Sequence, residues 1–403
     1  MLAERKDSQS KMVLYTNTGC KMLYYSVDLT EGTLVPRGSV TLPSIVQYAW
    51  PHTSRHYLYV ACSSQKTQPE NPRHCLATLR IDPLTGQLTP HGEPVPLPAR
   101  PIHLTSDMPS EHVLVAFSVP SGVQVFRINP DFTIGVEVSQ LDVLDYGVFA
   151  HQIRITPDNR HAILVTRGVS ATKRSIEKPG ALKIFRYHQG VLSPETSIAP
   201  DGGFGFGPRH LDFHPAKPWV YVSLERQNKL YTYKVQDGIL AADPAFRNET
   251  LARPERKRTR QMAGAIHIHP NGRFVYVANR ADGVVYLDGG RYFAGGENNI
   301  AVYEIDQCTG EPKLIQHADT RKVYPRTFDI DPSGRLMVVQ NTVPVALHDG
   351  SAVPAGITSF RIGEDGRLSR VSEIDLGGDK ETMQWLGLLA LPKLNAEASI
   401  CQP

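Results

Sequence analysis

The sequence predicts an all-β fold: a seven-bladed β-propeller whose ring is closed by strands from the two ends of the chain. Six segments repeat one pattern, an alternating apolar strand, a turn and a second strand rich in Val, Tyr and Leu, and their turns recur every 50 to 62 residues. Gly and Pro account for 32 and 31 of the 403 residues, which is typical of a protein with many turns. A repeat of this length with about four strands is the unit of a propeller blade.

The repeated hairpins follow one another along the chain. They begin at Gln47, Ile102, His151, Arg209, Ala265 and Arg326, and their turns contain Pro51, Asp107, Pro157, Pro215, Pro270 and Pro332. Further alternating strands lie between them, such as KLYTYKVQDG from Lys229. The dipeptides Thr85-Gly86 and Thr309-Gly310 predict a second hairpin turn in their units.

The two ends of the chain predict how the ring closes. The segment MVLYTNTGCKMLYYSVDL from Met12 predicts strands with no preceding hairpin, and MQWLGLLALP from Met383 supplies only one more strand. We expect the ends to complete one blade together, which removes exposed sheet edges. A single propeller over residues 12–392 follows, with tails at residues 1–11 and 393–403.

The composition limits the partners and the location that we expect for the protein. Lys and Arg total 43 against 40 Asp and Glu, a net charge of +3 that predicts no nucleic-acid partner. No apolar run approaches the ~18 residues that cross a bilayer, and the N-terminus MLAERKDSQSKM lacks a secretory apolar core. We therefore expect a cytoplasmic protein, a monomer or a homodimer, with no membrane partner. Five scattered cysteines without a C-x-x-C pair or zinc-like Cys/His spacing argue against a disulfide framework and a metal site. We also expect no cofactor.

Hairpin geometry brings polar residues of several repeats to one rim. In an antiparallel hairpin, two residues equidistant from the turn lie side by side at the same end. The pairs obtained in this way are His151 with Arg167, Arg209 with Glu225, Gly264 with Arg280, and Arg326 with Asn341. All of them fall on the rim opposite the turns. If the first strand of each hairpin is innermost, they face the mouth of the channel.

The chemistry of this collection points to an anion. It comprises His151, Arg167, Arg209, His210, Glu225, Arg280, Arg326 and Asn341. Four arginines converging with one carboxylate predict a site for an anionic, oxygen-rich small molecule, because the guanidinium fork matches carboxylate and phosphate. A Glu or His beside them can move a proton.

At these residues the sequence resembles the β-propeller lactonase family, which includes 6-phosphogluconolactonases and has the fungal 3-carboxy-cis,cis-muconate cyclase as a relative. The matching stretches are GPRHLDFHP with YVSLE, IHIHPNGRFVYVANR and YPRTFDIDPSGRLMVV. The resemblance implies a lactone substrate, anionic or polyhydroxylated, and a site carried by His151, Arg209, Glu225 and Arg280. The sequence departs from the family pattern at Phe149-Ala150-His151, at Thr166-Arg167 and in an additional segment over residues 281–298.

Lactone hydrolysis needs an activated water, an oxyanion stabiliser and a proton donor for the ring oxygen. Glu225, with His151, is predicted as base and acid, and Arg209 and Arg280 would hold the oxyanion or the substrate anion without a metal. The residues predicted to bind substrate are His210, Arg167, Arg326, Asn341 and His267.

Two alternatives stay open at this point. A cycloisomerase that closes an unsaturated di- or tricarboxylate into a lactone would use the same arginines. A non-catalytic propeller would serve as an interaction platform, although the WD and GH signatures of such propellers are missing.

Other segments have simpler interpretations. His214 and His269 precede turn prolines and are expected to form hydrogen bonds in the turns. We interpret Gly202–Pro208 as a loop leading to the rim, Arg253–Arg260 as a solvated basic loop, and residues 281–298 as a lid.

Overall fold

Seven antiparallel sheets of four or five strands and two separate two-stranded hairpins make up the described part of the protein. The computed structural model describes residues 11–65, 67–379 and 382–392, so the tails predicted at residues 1–11 and 393–403 lie outside the described residues, Lys11 excepted. Helical structure in the described part is confined to 3-10 turns at Pro200–Gly203 and Pro254–Arg256. No helix of the described residues is long and apolar enough to cross a membrane.

The strands are numbered in chain order. Blade 1 contains β1 (Met12–Thr18), β2 (Lys21–Asp28) and β3 (Thr33–Thr41). Blade 2 contains β4 (Ile45–Pro51), β5 (Tyr57–Ser63), β6 (His74–Ile81), β7 (Leu88–Pro90) and β8 (Val95–Pro96). Blade 3 contains β9 (Pro101–Ser106), β10 (His112–Ser118), β11 (Ser121–Ile128) and β12 (Ile134–Glu137). Blade 4 contains β13 (Ala150–Ile155), β14 (His161–Thr166), β15 (Ala181–His188) and β16 (Val191–Ile198).

The second half of the chain continues the series. Blade 5 contains β17 (Pro208–Phe213), β18 (Trp219–Leu224), β19 (Lys229–Gln236), β20 (Ile239–Leu240) and β21 (Phe246–Glu249). Blade 6 contains β22 (Gln261–Ile268) and β23 (Phe274–Ala281), then a separate hairpin of β24 (Val284–Leu287) and β25 (Gly290–Phe293), then β26 (Asn299–Ile305) and β27 (Pro312–Asp319). Blade 7 contains β28 (Pro325–Ile330) and β29 (Leu336–Asn341), a second separate hairpin of β30 (Val345–Ala346) and β31 (Ala352–Val353), then β32 (Gly356–Ile362) and β33 (Leu368–Asp375). The last strand, β34 (Leu386–Ala390), returns to blade 1.

The predicted propeller is confirmed, including its closure. Strand β34 pairs with β1, with Met12 opposite Ala390 and Thr16 opposite Leu386, and becomes the inner strand of blade 1. The side chain of Asn17 reinforces this junction. Its Oδ1 accepts hydrogen bonds from the backbone N–H groups of Gln384 and Trp385, each at 3.0 Å, and its Nδ2 donates to the carbonyl of Thr382 at 2.6 Å.

Burial explains why the second strand of each hairpin is so apolar. Strands β14, β18 and β29 are buried at every residue. A blade packs against a neighbour on each face, so its second strand has no solvent face and needs a continuous apolar run rather than alternation. The outer strand β33, in contrast, exposes most of its residues, which include Glu373 and Arg370.

A tyrosine in the second strand joins one blade to the next. The hydroxyls of Tyr15, Tyr221 and Tyr276 donate to the carbonyls of Gly86, Gly310 and Gly366 at 2.7, 2.8 and 3.0 Å. These glycines occupy outer turns with φ between +75° and +83°. At Gly310 an added Cβ would lie 2.7 Å from the Trp219 ring, so the close approach of the blades also requires glycine. The turns predicted at Thr85-Gly86 and Thr309-Gly310 are thus confirmed.

Loss of the Asn17 amide should weaken the closure. Asn17→Ala leaves two buried N–H groups without their acceptor, and we expect the free energy of unfolding to fall by about 2–4 kcal/mol. Asn17→Asp keeps the acceptor but sets a buried carboxylate oxygen against the carbonyls of Gly19 and Thr382, so it should lower the free energy of unfolding at least as much. Urea unfolding measures the loss in the free energy of unfolding, and Lys21→Ala on the exposed face of β2 is the control. A loss for Asn17→Ala no larger than for Lys21→Ala would contradict the assigned role.

Candidate active site

A β-bulge near the start of six inner strands shapes the channel. The pairing register shifts at Gln47, Ile102, His151, Arg209 and Arg326, each of which is left without a partner in the adjoining strand, and at Gly264-Ala265. A bulge re-aims side chains and strengthens the local twist. At Arg209 it brings two consecutive side chains together, because Nη1 of Arg209 lies 3.2 Å from Nδ1 of His210.

Three arginines from three blades bind one carboxylate. Nη2 of Arg280 lies 2.5 Å from Oε1 of Glu225, and Nε of Arg209 lies 3.3 Å from the same oxygen. Nη2 of Arg167 lies 2.8 Å from Oε2. Glu225 follows β18, and its backbone N–H donates to the carbonyl of Gly207 at the start of β17. We name Glu225, Arg167, Arg209, Arg280 and Arg326 the arginine cluster.

Three members of the arginine cluster are buried rather than exposed on a rim, and the other two, Arg167 and Arg326, are half-buried. Glu225 and Arg209 are each 3 % exposed and Arg280 is 2 % exposed. Burial alone would raise the pKa of Glu225, but the surrounding guanidiniums outweigh it and hold this pKa below its usual value. The carboxylate is therefore ionised at neutral pH, with its oxygens already engaged by arginines.

The arginine cluster carries more positive than negative charge. Arg326 has no carboxylate partner among the described residues, and burial together with the nearby Arg280 lowers its pKa to about 10. With Arg326 still protonated, four guanidiniums face one carboxylate. Within the described residues, Nε and Nη1 of Arg280 and Nε of Arg167 also lack hydrogen-bond acceptors. Buried donors of this kind are costly unless a ligand or water completes them.

Three neutral imidazoles lie beside the arginine cluster. The ring of His210 is 5.1 Å from that of His151 and 6.1 Å from that of His103, measured between centroids. Burial, reinforced by Arg209, holds the pKa of His151 and His210 well below the usual value, and burial with Arg154 does the same for His103. Nδ1 of His151 and both nitrogens of His103 lack partners among the described residues.

A cavity of about 330 Å³ continues the channel from His210 toward the turns. Its wall includes Arg154, Asp212, His267 and Asp329. Asp212 is paired with Arg154 at 3.3 Å and lies 3.9 Å from Nδ1 of His267. The carboxylates also join blades, since Asp212 accepts from the N–H of Ile268 and Asp329 from that of Leu388. His267 therefore lines this cavity and not the arginine cluster.

Asn341 is not brought into the arginine cluster. It pairs with Pro325, and its Nδ2 donates to Oγ1 of Thr358 within the blade. The position equivalent to Glu225 in blade 7 is Thr342, whose N–H donates to the carbonyl of Tyr324. The hairpins of blades 5 and 7 have the same bulge, so the residue equivalent to Glu225 lies one position beyond Asn341. Arg280 lies opposite Met262 and not opposite Gly264.

The sequence contained a signal for His103 that its interpretation missed. Ile102-His103-Leu104 occupies the same place in its hairpin as Arg209-His210-Leu211. Tyr48 holds this place in blade 2, and its ring lies 4.0 Å from that of His103. Comparison of equivalent positions across repeats would have added both residues to the channel.

The remaining segments behave largely as expected. His214 and His269 bridge neighbouring turns, with Nε2 of each 2.8 Å from the carbonyls of Gly272 and Gly334. The basic loop at residues 253–260 is exposed, and Gly202–Pro208 leads into β17. The segment at residues 281–298 is built around the β24–β25 hairpin, which contacts the β30–β31 hairpin, and the Tyr292 and His348 rings are 5.4 Å apart. Its role as a lid remains a prediction.

The buried imidazoles should make the fold sensitive to acid. His103, His151 and His210 are neutral in both states above pH 7, whereas below about pH 6.5 the unfolded chain binds protons that the folded chain excludes. The free energy of unfolding should therefore fall by up to about 4 kcal/mol per pH unit as pH drops from 6.5.

Urea unfolding at pH 7.5, 6.5 and 5.5 measures this slope. In His103→Phe the slope should correspond to the uptake of about one proton fewer on unfolding. A free energy of unfolding that is the same at pH 7.5 and 5.5 would contradict neutral imidazoles in the folded state.

Comparison with known proteins identifies the family to which this chain belongs. The family model described as "Lactonase, 7-bladed beta-propeller" matches residues 12–344. A 6-phosphogluconolactonase of Bacillus subtilis is 27 % identical over 275 residues, which cover 66 % of this chain and 70 % of the relative. A 6-phosphogluconolactonase of Cronobacter sakazakii is 27 % identical over 317 residues, which cover 76 % of this chain and 80 % of the relative. The structure of a periplasmic gluconolactonase from Pseudomonas aeruginosa has a TM-score of 0.73 at 19 % identity, covering 95 % of this chain and all of that one, and shares the fold. The chain belongs to the seven-bladed β-propeller lactonase family.

Proposed function

We propose that the chain hydrolyses a sugar-acid lactone that carries an anionic group, at the arginine cluster and the three imidazoles beside it. Membership of the lactonase family makes the chain a lactone hydrolase, and the relatives named 6-phosphogluconolactonase support a phosphorylated substrate. The observation that carries the proposal is the excess of positive charge on buried and half-buried arginines around Glu225.

The charge excess selects the substrate class. A buried charge without a counter-ion is unfavourable, and bringing in an anion relieves that cost. Arg326 and the unpaired N–H groups of Arg280 supply several donors, which is the arrangement that binds phosphate or carboxylate through more than one hydrogen bond.

His151 is the stronger candidate for the base. Its pKa is lowered, so the imidazole is unprotonated near neutral pH, and its Nδ1 has no partner among the described residues. Burial and the nearby arginines also weaken it as a base, and a bound substrate anion would offset the positive charge beside it. Glu225 binds three guanidiniums and is a weak proton acceptor for that reason. In this scheme His151 takes a proton from the attacking water as oxygen bonds to the lactone carbonyl carbon. The arginines stabilise the oxyanion, and the proton then passes to the departing ring oxygen.

The neutral imidazoles suit a polyhydroxylated ring. An uncharged histidine offers one N–H donor and one nitrogen acceptor, which together match a hydroxyl group. His103 is 1 % exposed and uses neither nitrogen within the described residues, so a substrate hydroxyl would satisfy it.

The substrate class can be tested with a panel of lactones. The full chain should accelerate acid release from 6-phosphoglucono-δ-lactone with a kcat/KM at least about 10-fold above that for glucono-δ-lactone, because one charge-assisted hydrogen bond is worth about 1.5–3 kcal/mol. Spontaneous hydrolysis is subtracted at each pH. Failure to accelerate either lactone, with ultraviolet loss of a conjugated carboxymuconate, would favour the cycloisomerase instead.

Replacement of the proposed base should remove most turnover. His151→Gln should lower kcat about 100- to 10,000-fold, the usual contribution of a general base. His161→Gln is the matched control, because His161 is also buried in blade 4 but lies at the turn end of its hairpin. Equal rates for the His151→Gln variant and the wild type would exclude His151.

His103→Phe should affect hydroxylated lactones selectively. Loss of one or two hydrogen bonds should raise KM for glucono-δ-lactone about 3- to 10-fold. KM for δ-valerolactone, which has no hydroxyl, should stay constant. The thermal midpoint should stay level or rise, since an apolar ring replaces buried polar atoms without partners. A parallel change in KM for both lactones would contradict this role.

The other expectations about partners stand as proposals. We propose that the protein acts without a metal or cofactor, without nucleic-acid or membrane partners, and as a monomer or homodimer. A cytoplasmic location is likewise proposed, although the relative from Pseudomonas aeruginosa is titled a periplasmic enzyme. Lactonase family membership disfavours the interaction platform.

A further inference from the structure

Two aromatic residues at the arginine cluster have a left-handed backbone. Phe149 has a φ of +58° and Tyr324 a φ of +67°. A Cβ atom clashes with the neighbouring carbonyl in this region, so bulky residues rarely occupy it. Backbone strain of this kind persists only where the surrounding structure enforces it, and it concentrates at functional sites.

The fold at these two positions does not require an aromatic ring. Phe149 and Tyr324 directly precede the inner strands β13 and β28, and Gly207 holds the same place before β17 with a φ of +48°. In all three blades the carbonyl of this residue accepts an N–H from the end of the second strand, at 3.0 to 3.1 Å. Glycine makes that hydrogen bond without strain, so the rings at positions 149 and 324 must be explained by what they contact.

Each ring packs against an arginine that binds Glu225. Cζ of Arg167 lies 4.8 Å from the centroid of the Phe149 ring, and Cζ of Arg280 lies 4.8 Å from that of the Tyr324 ring. The same guanidiniums bind opposite oxygens of the Glu225 carboxylate, at 2.8 and 2.5 Å. Each guanidinium therefore has an aromatic face on one side and a carboxylate at its edge.

We infer that Phe149 and Tyr324 are positioning residues that fix the planes of Arg167 and Arg280 for a substrate anion. A cation–π contact fixes one face of a guanidinium, and Glu225 fixes one N–H edge. The N–H groups left over, Nε of Arg167 and both Nε and Nη1 of Arg280, are those without partners among the described residues. Gly207 has the same left-handed backbone without a ring, so the positive φ belongs to the position, and an aromatic residue there accepts the strain while its ring lies under the guanidinium. This inference rests on the proposed anionic substrate.

Substitutions at Phe149 separate the aromatic face from packing and strain. Phe149→Leu keeps an apolar side chain without a π face, and Phe149→Gly removes the strain as well. Both should lower kcat/KM for 6-phosphoglucono-δ-lactone about 10-fold, mainly through KM, with a much smaller effect on uncharged glucono-δ-lactone. Phe149→Gly should have a thermal midpoint at least equal to that of Phe149→Ala, because glycine accepts a positive φ.

Tyr324 supplies the conservative rescue. Tyr324→Gly should lose discrimination between the two lactones as Phe149→Gly does, whereas Tyr324→Phe keeps the ring face and should retain the wild-type ratio. The matched control is Phe132→Gly. Phe132 is an aromatic residue with a φ of +68° in an outer turn, and its ring stacks on Tyr57 and not on an arginine. This variant should leave the ratio unchanged.

The outcomes distinguish this inference from the proposed function. Wild-type discrimination in both Phe149→Leu and Tyr324→Gly would overturn it, and so would an equal loss in Tyr324→Phe and Tyr324→Gly. If the wild type hydrolyses neither lactone, the proposed function fails, and calorimetry with 6-phosphogluconate decides the role of the rings. Weaker binding in Phe149→Leu and Tyr324→Gly, but not in Phe132→Gly, supports it, and unchanged binding overturns it.

Discussion

The Glu225 carboxylate, bound by guanidiniums from three successive blades, is the constraint on which the site depends. Arg167, Arg209 and Arg280 belong to blades 4, 5 and 6, so they meet only when the blades stand at their proper angles around the axis. Buried ions tolerate little misplacement, because their desolvation is repaid only by close pairing. Ring closure at β1 and β34, far from the carboxylate in the ring, is therefore a condition for the arginine cluster.

The inner-strand bulges are the second device that builds the site. A regular strand alternates its side chains, so only every second residue would face the channel. The bulge at Arg209 places Arg209 and His210 in contact, and the bulge at His151 leaves that residue out of the ladder next to Gln152. Each repeat can thus offer cations and imidazoles at one level of the channel. Because the bulge recurs, one repeated backbone feature serves several blades.

These devices explain what sequence could and could not predict. Turn spacing and the continuous apolar second strands were sufficient for the blade repeat, and the two incomplete ends were sufficient for the closure. Symmetry about the turn correctly joined Arg209 to Glu225, which are 16 residues apart across their hairpin. Asn341 was placed at the cluster from a separation of 15 residues from Arg326, but this hairpin has the same bulge and length as that of Arg209, and Thr342 holds the equivalent position. The ring contacts of Phe149 and Tyr324 depend on backbone dihedrals that neither composition nor periodicity reports.

The charges along the channel give the substrate a direction. Guanidiniums surround Glu225 at the bulge level, while the cavity beyond His210 has Asp212 and Asp329 in its wall, and burial raises the pKa of Asp329 because that site is poor for a charge. An anionic group meets unpaired guanidinium N–H groups at the arginine cluster, whereas in the cavity Arg154 is already paired with Asp212. The neutral imidazoles of His103 and His210 lie between the two levels, where an uncharged ring with hydroxyl groups meets no unfavourable charge. In the proposed function, a lactone bound with its anion at the arginines would carry its ring toward the imidazoles, of which His151 is one. Burial first and the arginines second keep His151 unprotonated, and a bound anion would offset the field of the arginines, which would make the imidazole a better proton acceptor.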